Sequence, residues 1–205
     1  MILPEFVGFP KIYRFHRDIV ITEKIDGTNA QVLVTEDGQV FAGSRKRWIT
    51  VDDDNYGFAA WVLGHANELR QLGPGRHFGE WWGQGIQRRY GLDRKRFSLF
   101  NVGRWYDDSH DPGGAALNRC GLRTPAPPCC HVVPILYLGP WSIDVGDPYG
   151  EEQRAVEQTM FHLSIYGSKA APGFMDPEGI VIFHTQSGHL YKTTFKGDDE
   201  GKKRG

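Results

Sequence analysis

The chain has 205 residues, 40% of them hydrophobic and 13% aromatic, enough to bury one core and too few for a second module of similar size. A formal net charge of -1 gives no global pull toward nucleic acid, so a polyanion would have to be held by local patches: Arg45-Lys46-Arg47, Arg88-Arg89 or Arg94-Lys95-Arg96, set against acidic Asp52-Asp53-Asp54 and Asp107-Asp108. No apolar run approaches the ~20 residues that span a bilayer, and the N-terminus lacks the layout of a signal peptide, so a cytoplasmic protein without membrane contact is expected.

In chain order, Ile19-Val20-Ile21 reads as a strand running into Lys24. Residues 30–34 read as a second strand, turned by Asp37-Gly38 into a third at Val40-Phe41-Ala42. Over residues 56–72 the apolar Phe58, Val62, Ala66 and Leu69 recur at helical spacing, with Asp54 or Asn55 as cap and Gly73 as stop; this predicts one helix packed on the sheet. Short strands are expected over 77–82, 97–102 and 132–138, with a Pro- and Gly-punctuated polar stretch over 107–128. A second helix is predicted over 151–166, stopped by Gly167, and a closing hairpin over 179–184 and 189–195 with Ser187-Gly188 at its turn. Residues 197–205 read as a disordered tail. Strands outnumber helices and tight turns join neighbours, so the expected class is α+β with mostly antiparallel sheets flanked by helices.

Cys120, Cys129 and Cys130 are an odd number crowded into one Pro- and Gly-rich stretch, which argues against a disulfide framework. Cys129, Cys130 and His131 carry metal-ligating groups, but no second ligand pair at zinc spacing follows, and the cysteines read as reduced thiols in or beside a loop. His77, His162, His184 and His189 show no paired metal spacing either.

Lys24, separated by one residue from Asp26 and Gly27, is the residue with the most chemistry to offer. Taken alone, Lys-x-Asp-Gly fits a surface lysine before a turn as well as a nucleophile. A lysine nucleophile must be neutral, and removing its proton at pH 7 costs about 4 to 5 kcal/mol unless cations or a metal lower that cost. Lys192, Lys196 and Arg45 are candidate cations, and Glu80 and Glu178, each beside a glycine that permits close approach, are candidate carboxylates.

In order along the chain, Glu23-Lys24-Ile25-Asp26-Gly27-Thr28-Asn29, Gly43-Ser44-Arg45, Phe78-Gly79-Glu80, Phe97-Ser98-Leu99-Phe100, Pro177-Glu178-Gly179-Ile180-Val181 and Tyr191-Lys192-Thr193-Thr194-Phe195-Lys196 resemble the ordered motifs of the covalent nucleotidyltransferases. The Thr-Asn extension resembles the RNA ligase branch, near the phage RNA ligase 2 group and the RNA-editing ligases. The resemblance implies an ATP-grasp-like nucleotidyltransferase domain over residues 1–196. It also implies ATP and Mg2+ or Mn2+ as cofactors, and as partner an RNA with 5′-phosphate and 3′-hydroxyl ends, handled by a monomer.

Carried over by residue, the resemblance makes Lys24 the group that takes AMP from ATP. Glu80 would hold the ribose hydroxyls, Phe100 would stack on adenine with Val181 as the second wall, and Glu23 and Ile25 would flank the nucleotide. Arg45 and Asn29 would contact phosphate or the RNA end, Lys192 the α-phosphate, and Glu178 with Asp26 a divalent metal. From the residues alone, Arg88-Arg89 and Arg94-Lys95-Arg96, interleaved with Trp81, Trp82 and Tyr90, read as a candidate contact for an RNA backbone. One departure stands out: the second lysine of the last motif is replaced by Thr194, and Lys196, two residues on, would have to substitute. A DNA ligase or guanylyltransferase is the related alternative, against which stands the lack of room for an appended OB-fold domain; a non-sealing nucleotide- or RNA-binding relative is the other.

Overall fold

The computed structural model of the chain describes residues 3–14, 16–107, 123–141 and 155–196. Cys120, the start of the second predicted helix and the predicted tail lie outside the described residues. Two sheets make up the body. The first contains β1 (Asp18–Lys24), β10 (Ile135–Pro140), β11 (Gly179–His184) and β12 (Leu190–Thr194) in the order β10-β1-β11-β12. The second contains β2 (Thr28–Val34), β3 (Val40–Ser44), β4 (Trp48–Ile49), β5 (Gly75–Gly83), β6 (Lys95–Leu99) and β9 (Cys130–Val132) in the order β4-β3-β2-β5-β6-β9. A two-stranded ribbon pairs β7 (Trp105–Tyr106) with β8 (Thr124–Pro125). Apart from that ribbon and the β6–β9 pair, which are parallel, all pairings are antiparallel, in keeping with the expected α+β class.

Alternation along the strands separates two apolar cores. Ala30, Val32 and Val34 of β2 turn with Ala42, Ile49, Trp81, Phe97 and Leu99 against the helices α1 (Phe58–Gly64) and α2 (Ala66–Leu69), which supply Phe58, Val62 and Leu69. Ile19, Ile21, Ile180 and Ile182 of the other sheet meet Ala155 and Leu163 of α3 (Ala155–Tyr166). Each fully buried Ile, Leu or Phe contributes about 1.5 to 3 kcal/mol, so the strands hold their faces firmly and the orientation of β1 and β5 side chains is set. Among the described residues no helix is long and apolar enough to cross a membrane.

Three expectations shift. The helix over 56–72 is broken: α1 ends at Gly64, His65 adopts a non-helical φ of -110° and turns its Nδ1 to the Trp61 carbonyl at 2.8 Å, and α2 runs into a 3-10 turn at Arg70–Leu72 before Gly73. Asp54 does cap, but from beyond the helix, accepting from the N–H groups of Ala59 (2.7 Å) and Ala60 (3.0 Å). The strand over 132–138 is two strands in different sheets, because Pro134 has no N–H to continue a ladder and the chain crosses there from β9 to β10. That crossover sits against the one from β1 to β2: Glu23 N–H donates to the Pro134 carbonyl at 3.0 Å.

Glu23 is the third. Although it borders the cleft, it faces opposite to Lys24 on the strand, is buried, and accepts from Ser168 Oγ (2.5 Å), Lys169 N (2.8 Å) and Ala170 N (2.9 Å). Burial raises its carboxyl above the ordinary value against these donors. The carboxylate anticipated as a nucleotide contact is spent inside the fold, tying the end of β1 to the 168–170 turn. Glu23→Ala leaves three buried donors short of an acceptor and is expected to cost about 3 kcal/mol or more; urea unfolding measures it, and wild-type stability would refute the assignment.

Candidate active site

The chain passes from one sheet to the other in the three residues Ile25, Asp26 and Gly27, so Lys24, the last residue of β1, sits where the sheets diverge. A cleft of about 970 Å3 opens between them. Val20, Thr22 and Lys24 of β1, with Val181 and Phe183 of β11, form one wall; Asn29 of β2, Phe78 and Glu80 of β5, and the turn from Phe100 to Arg104 form the other. Thus Glu23, Lys24, Ile25, Asn29, Glu80, Phe100 and Val181, far apart in sequence, border one space.

Lys24 Nζ donates to Glu178 Oε2 at 2.6 Å, both side chains being about four-fifths covered. Glu80 stands opposite and accepts from Gly27 N–H at 3.1 Å. Only glycine fits at position 27, because an added Cβ would fall 2.5 Å from the Trp81 carbonyl oxygen and 2.7 Å from Trp82 Cβ. Burial pushes the Glu80 carboxyl up to about 7, partly offset by the Lys24 charge and the Gly27 N–H and reinforced by Glu178 and Asp26.

Asp26 and Arg88 take different places from those anticipated. Arg88 Nε donates to Asp26 Oδ2 at 3.1 Å, and its other arm holds the carboxylate and the carbonyl of Asp176. Its side chain is only 11% exposed, so it acts as a clasp on the loop after Lys24, with the Asp26 carboxylate as its partner. Arg89 is exposed, at a positive φ of 60°. Arg45 stands exposed in the β3–β4 turn, and Lys192 and Lys196 are also exposed, none of the three being part of the cleft lining. Lys192 lies in one cross-strand row with Val181 and Thr22, whereas the row of Lys24 continues through Gly179 to Thr194.

Several supporting residues escaped the sequence reading. Tyr90, buried at a φ of 53°, accepts the Asp26 N–H at 2.7 Å and packs on Trp82 (4.9 Å) and Phe174 (4.6 Å); burial raises its hydroxyl far above the ordinary value. Ser168 holds Glu23, and Trp82 Nε1 donates to Ser98 Oγ at 2.8 Å. Trp81, Trp82 and Tyr90, interleaved with arginines in the sequence, are all buried, so the fold makes a core of them. Among the described residues no group of three or more His, Cys, Asp or Glu side chains is placed to hold a metal. Cys129 and Cys130 are free thiols 3.8 Å apart, and His131 Nδ1 pairs with Asp107 Oδ2 at 2.9 Å.

Two mostly antiparallel sheets thus close on a lysine at a strand end in an α+β domain. A family model described as RNA ligase matches residues 17–193, and the chain belongs to that family. No curated protein matches the sequence. Among solved structures, an apo variant of the Naegleria gruberi RNA ligase shares the fold, with a TM-score of 0.52 at 16% identity, over 86% of this chain and 49% of that one. A variant of the same ligase with ATP and Mn gives a TM-score of 0.51 at 17% identity over 86% of this chain and 48% of that one. Another with AMP and Mn gives 0.50 at 16% identity over 86% and 49%. The chain spans about half the length of these proteins.

Because Glu80 titrates near 7 in the fold and at its ordinary value of 4.5 when unfolded, the folded state holds a proton through that window that the unfolded chain has released. Stability therefore falls as pH rises through it, by about 3 kcal/mol for the full shift. Glu80→Gln should flatten the fall between about pH 5 and pH 7 and raise stability at about pH 8; urea unfolding across that range checks it, and an unchanged pH slope would contradict the buried-carboxylate assignment.

Proposed function

We propose that residues 1–196 form the adenylyltransferase domain of an ATP-dependent RNA ligase. Lys24 takes AMP from ATP, AMP passes to a 5′-phosphate RNA end, and a 3′-hydroxyl displaces it. The observation that carries this reading is the convergence on one cleft of an amine, a buried carboxylate and two apolar walls: Lys24, Glu80, Phe100 and Val181. Family membership supports it, as do the Naegleria structures with ATP or AMP and Mn.

Neutral Lys24 Nζ attacks the α-phosphorus, forming a P–N bond as the bond to the β-phosphate oxygen breaks and pyrophosphate leaves. Before this Nζ has to leave Glu178, which holds it at 2.6 Å. The residues fit a Mg2+ or Mn2+ that arrives with the phosphates: Glu178 is the carboxylate bonded to Nζ, and it would hold the ion through water. That ion supplies positive charge against the phosphates and favours the neutral amine. Glu80 accepts from the ribose hydroxyls, its buried position making an ordered polar contact worth more than the same contact in water. Phe100 and Val181 close on adenine, and Lys192 and Arg45 approach the phosphates from the rim.

One observation favours a narrower second reading. The row of Lys24 ends in Thr194, not in a lysine, so a cation that would stabilise the later phosphoryl transfers is missing from that place, and self-adenylylation would be efficient while sealing is slow.

Incubation with α-labelled ATP, GTP or NAD followed by denaturing electrophoresis tests both readings. Acid-labile, alkali-stable label from ATP alone, lost in Lys24→Ala, is expected; label that survives in Lys24→Ala sinks the proposal. Thr194→Lys is expected to speed sealing of nicked RNA about tenfold if the missing cation limits it, with self-labelling little changed.

A further inference from the structure

The six-stranded sheet has a second face that the helices leave uncovered, and register fixes what stands on it. Trp48, Gly43, Gln31 and Phe78 lie side by side across β4, β3, β2 and β5. Phe100 extends that row, since its N–H donates to the Phe78 carbonyl at 2.9 Å. Phe41, Leu33 and Arg76 form the next row. While the opposite face buries Val32, Ala42 and Ile49, Phe41, Trp48 and Phe78 remain 43%, 46% and 48% exposed. Three large aromatic rings stand on one sheet face, two of them in neighbouring rows 6.3 Å apart, and among the described residues no apolar element covers them.

Cations accompany the rings. The Arg76 guanidinium lies 5.1 Å from the centre of the Trp48 ring and donates to Gln31 Oε1 at 3.0 Å, and Arg45 and Lys46 stand exposed in the turn beside Trp48. Gly43 keeps the middle of the row low, since an added Cβ would meet Gln31 Cγ at 2.8 Å. Open π faces flanked by positive charge match a chain of flat bases joined by phosphates. A protein partner would be matched by an apolar centre depleted of charge, which this face does not offer. Phe78 and Arg76 also border the cleft of Lys24, so the surface is continuous with the place where chemistry is proposed.

We infer that this face is a stacking platform for unpaired bases of the RNA strand whose end enters the cleft, an inference that rests on the RNA-end reading above. From Phe78 to Trp48 is three strand spacings, about 14 Å, along which bases next to the reacting end would lie flat. Bases in a duplex are already stacked on each other and offer no free face, so the platform selects a strand unpaired beside its end.

Fluorescence anisotropy of a labelled, 5′-phosphorylated single-stranded RNA, with no ATP present, tests this on wild type, Trp48→Ala, Phe41→Ala and Trp48→Phe. Both alanine variants should weaken binding roughly 5- to 150-fold, the range for loss of one base–aromatic stack, while Trp48→Phe keeps most of the affinity. A length-matched abasic strand should bind wild type weakly and lose nothing further in Trp48→Ala. The platform is overturned if wild type does not bind the strand, if both alanine variants bind it like wild type, or if wild type grips the abasic strand as tightly as RNA. Labelling of the same preparations with α-labelled ATP keeps the two proposals apart: Trp48→Ala should label like wild type. Trp48-dependent binding by a wild type that takes no label would remove the lysyl-AMP reading and leave the platform standing.

Discussion

Ile25, Asp26 and Gly27 carry the chain from one sheet to the other, and the shortness of that bridge fixes Lys24 between the sheets. Three residues can make the step only if each is held. Ile25 is buried against Trp82, Tyr90 and Val133. Asp26 is held twice, by its N–H on Tyr90 and by its carboxylate on Arg88, and Gly27 gives its N–H to Glu80 while its missing Cβ leaves room for the backbone of β5. Beneath the bridge, the Glu23 carboxylate gathers the 168–170 turn, and the second crossover at Pro134 is bonded to the same residue. The Lys24 amine is therefore placed by contacts on both sides of the bridge, which is what the proposed series of transfers would require of it.

The same bridge governs the charge. Lys24 faces Glu178 and Glu80, with Asp26 close enough to raise Glu80. Three carboxylates around one amine would leave the cleft strongly negative toward a triphosphate. Arg88 cancels Asp26, and burial keeps Glu80 protonated through part of the neutral range, so the net field at the amine is that of one ion pair. In the proposed reaction, release of Glu178 from Lys24 would free both the amine and a carboxylate for the metal.

Period-two alternation exposed β1 and β2 in the sequence, because one face of each strand is buried, and the closing hairpin showed through Ser187-Gly188 at its turn. Order of motifs, more than any residue type, brought Lys24, Glu80, Phe100 and Val181 together before their shared cleft was visible. What stayed hidden depends on partners remote in sequence. Alternation puts Glu23 on the buried face of Ile19 and Ile21, opposite Lys24, but nothing local names its donors, which come from residues 168–170. Arg88 reads as surface charge until Asp26 and Asp176 are seen around it. The break at Gly64 and His65 lies inside an unbroken apolar periodicity, so tertiary packing and a side-chain bond to the Trp61 carbonyl decide it.

One strand links the two ends of the proposed work. Along β5, Arg76, Phe78 and Glu80 point to the same side, two residues apart, or about 6.7 Å per step. Glu80 sits beside Lys24 at the sheet junction, Phe78 beside Phe100, and Arg76 beside the open aromatic rows. A strand is stiff at this length, and its opposite face is anchored by Trp81 in the core against the helices, so the spacing between carboxylate, ring and cation cannot adjust independently. A nucleotide held at Glu80 and a polynucleotide lying over Phe78 and Arg76, as proposed, would thereby be measured against the same ruler, and the face that positions the adenylate would also set where the next phosphate must fall.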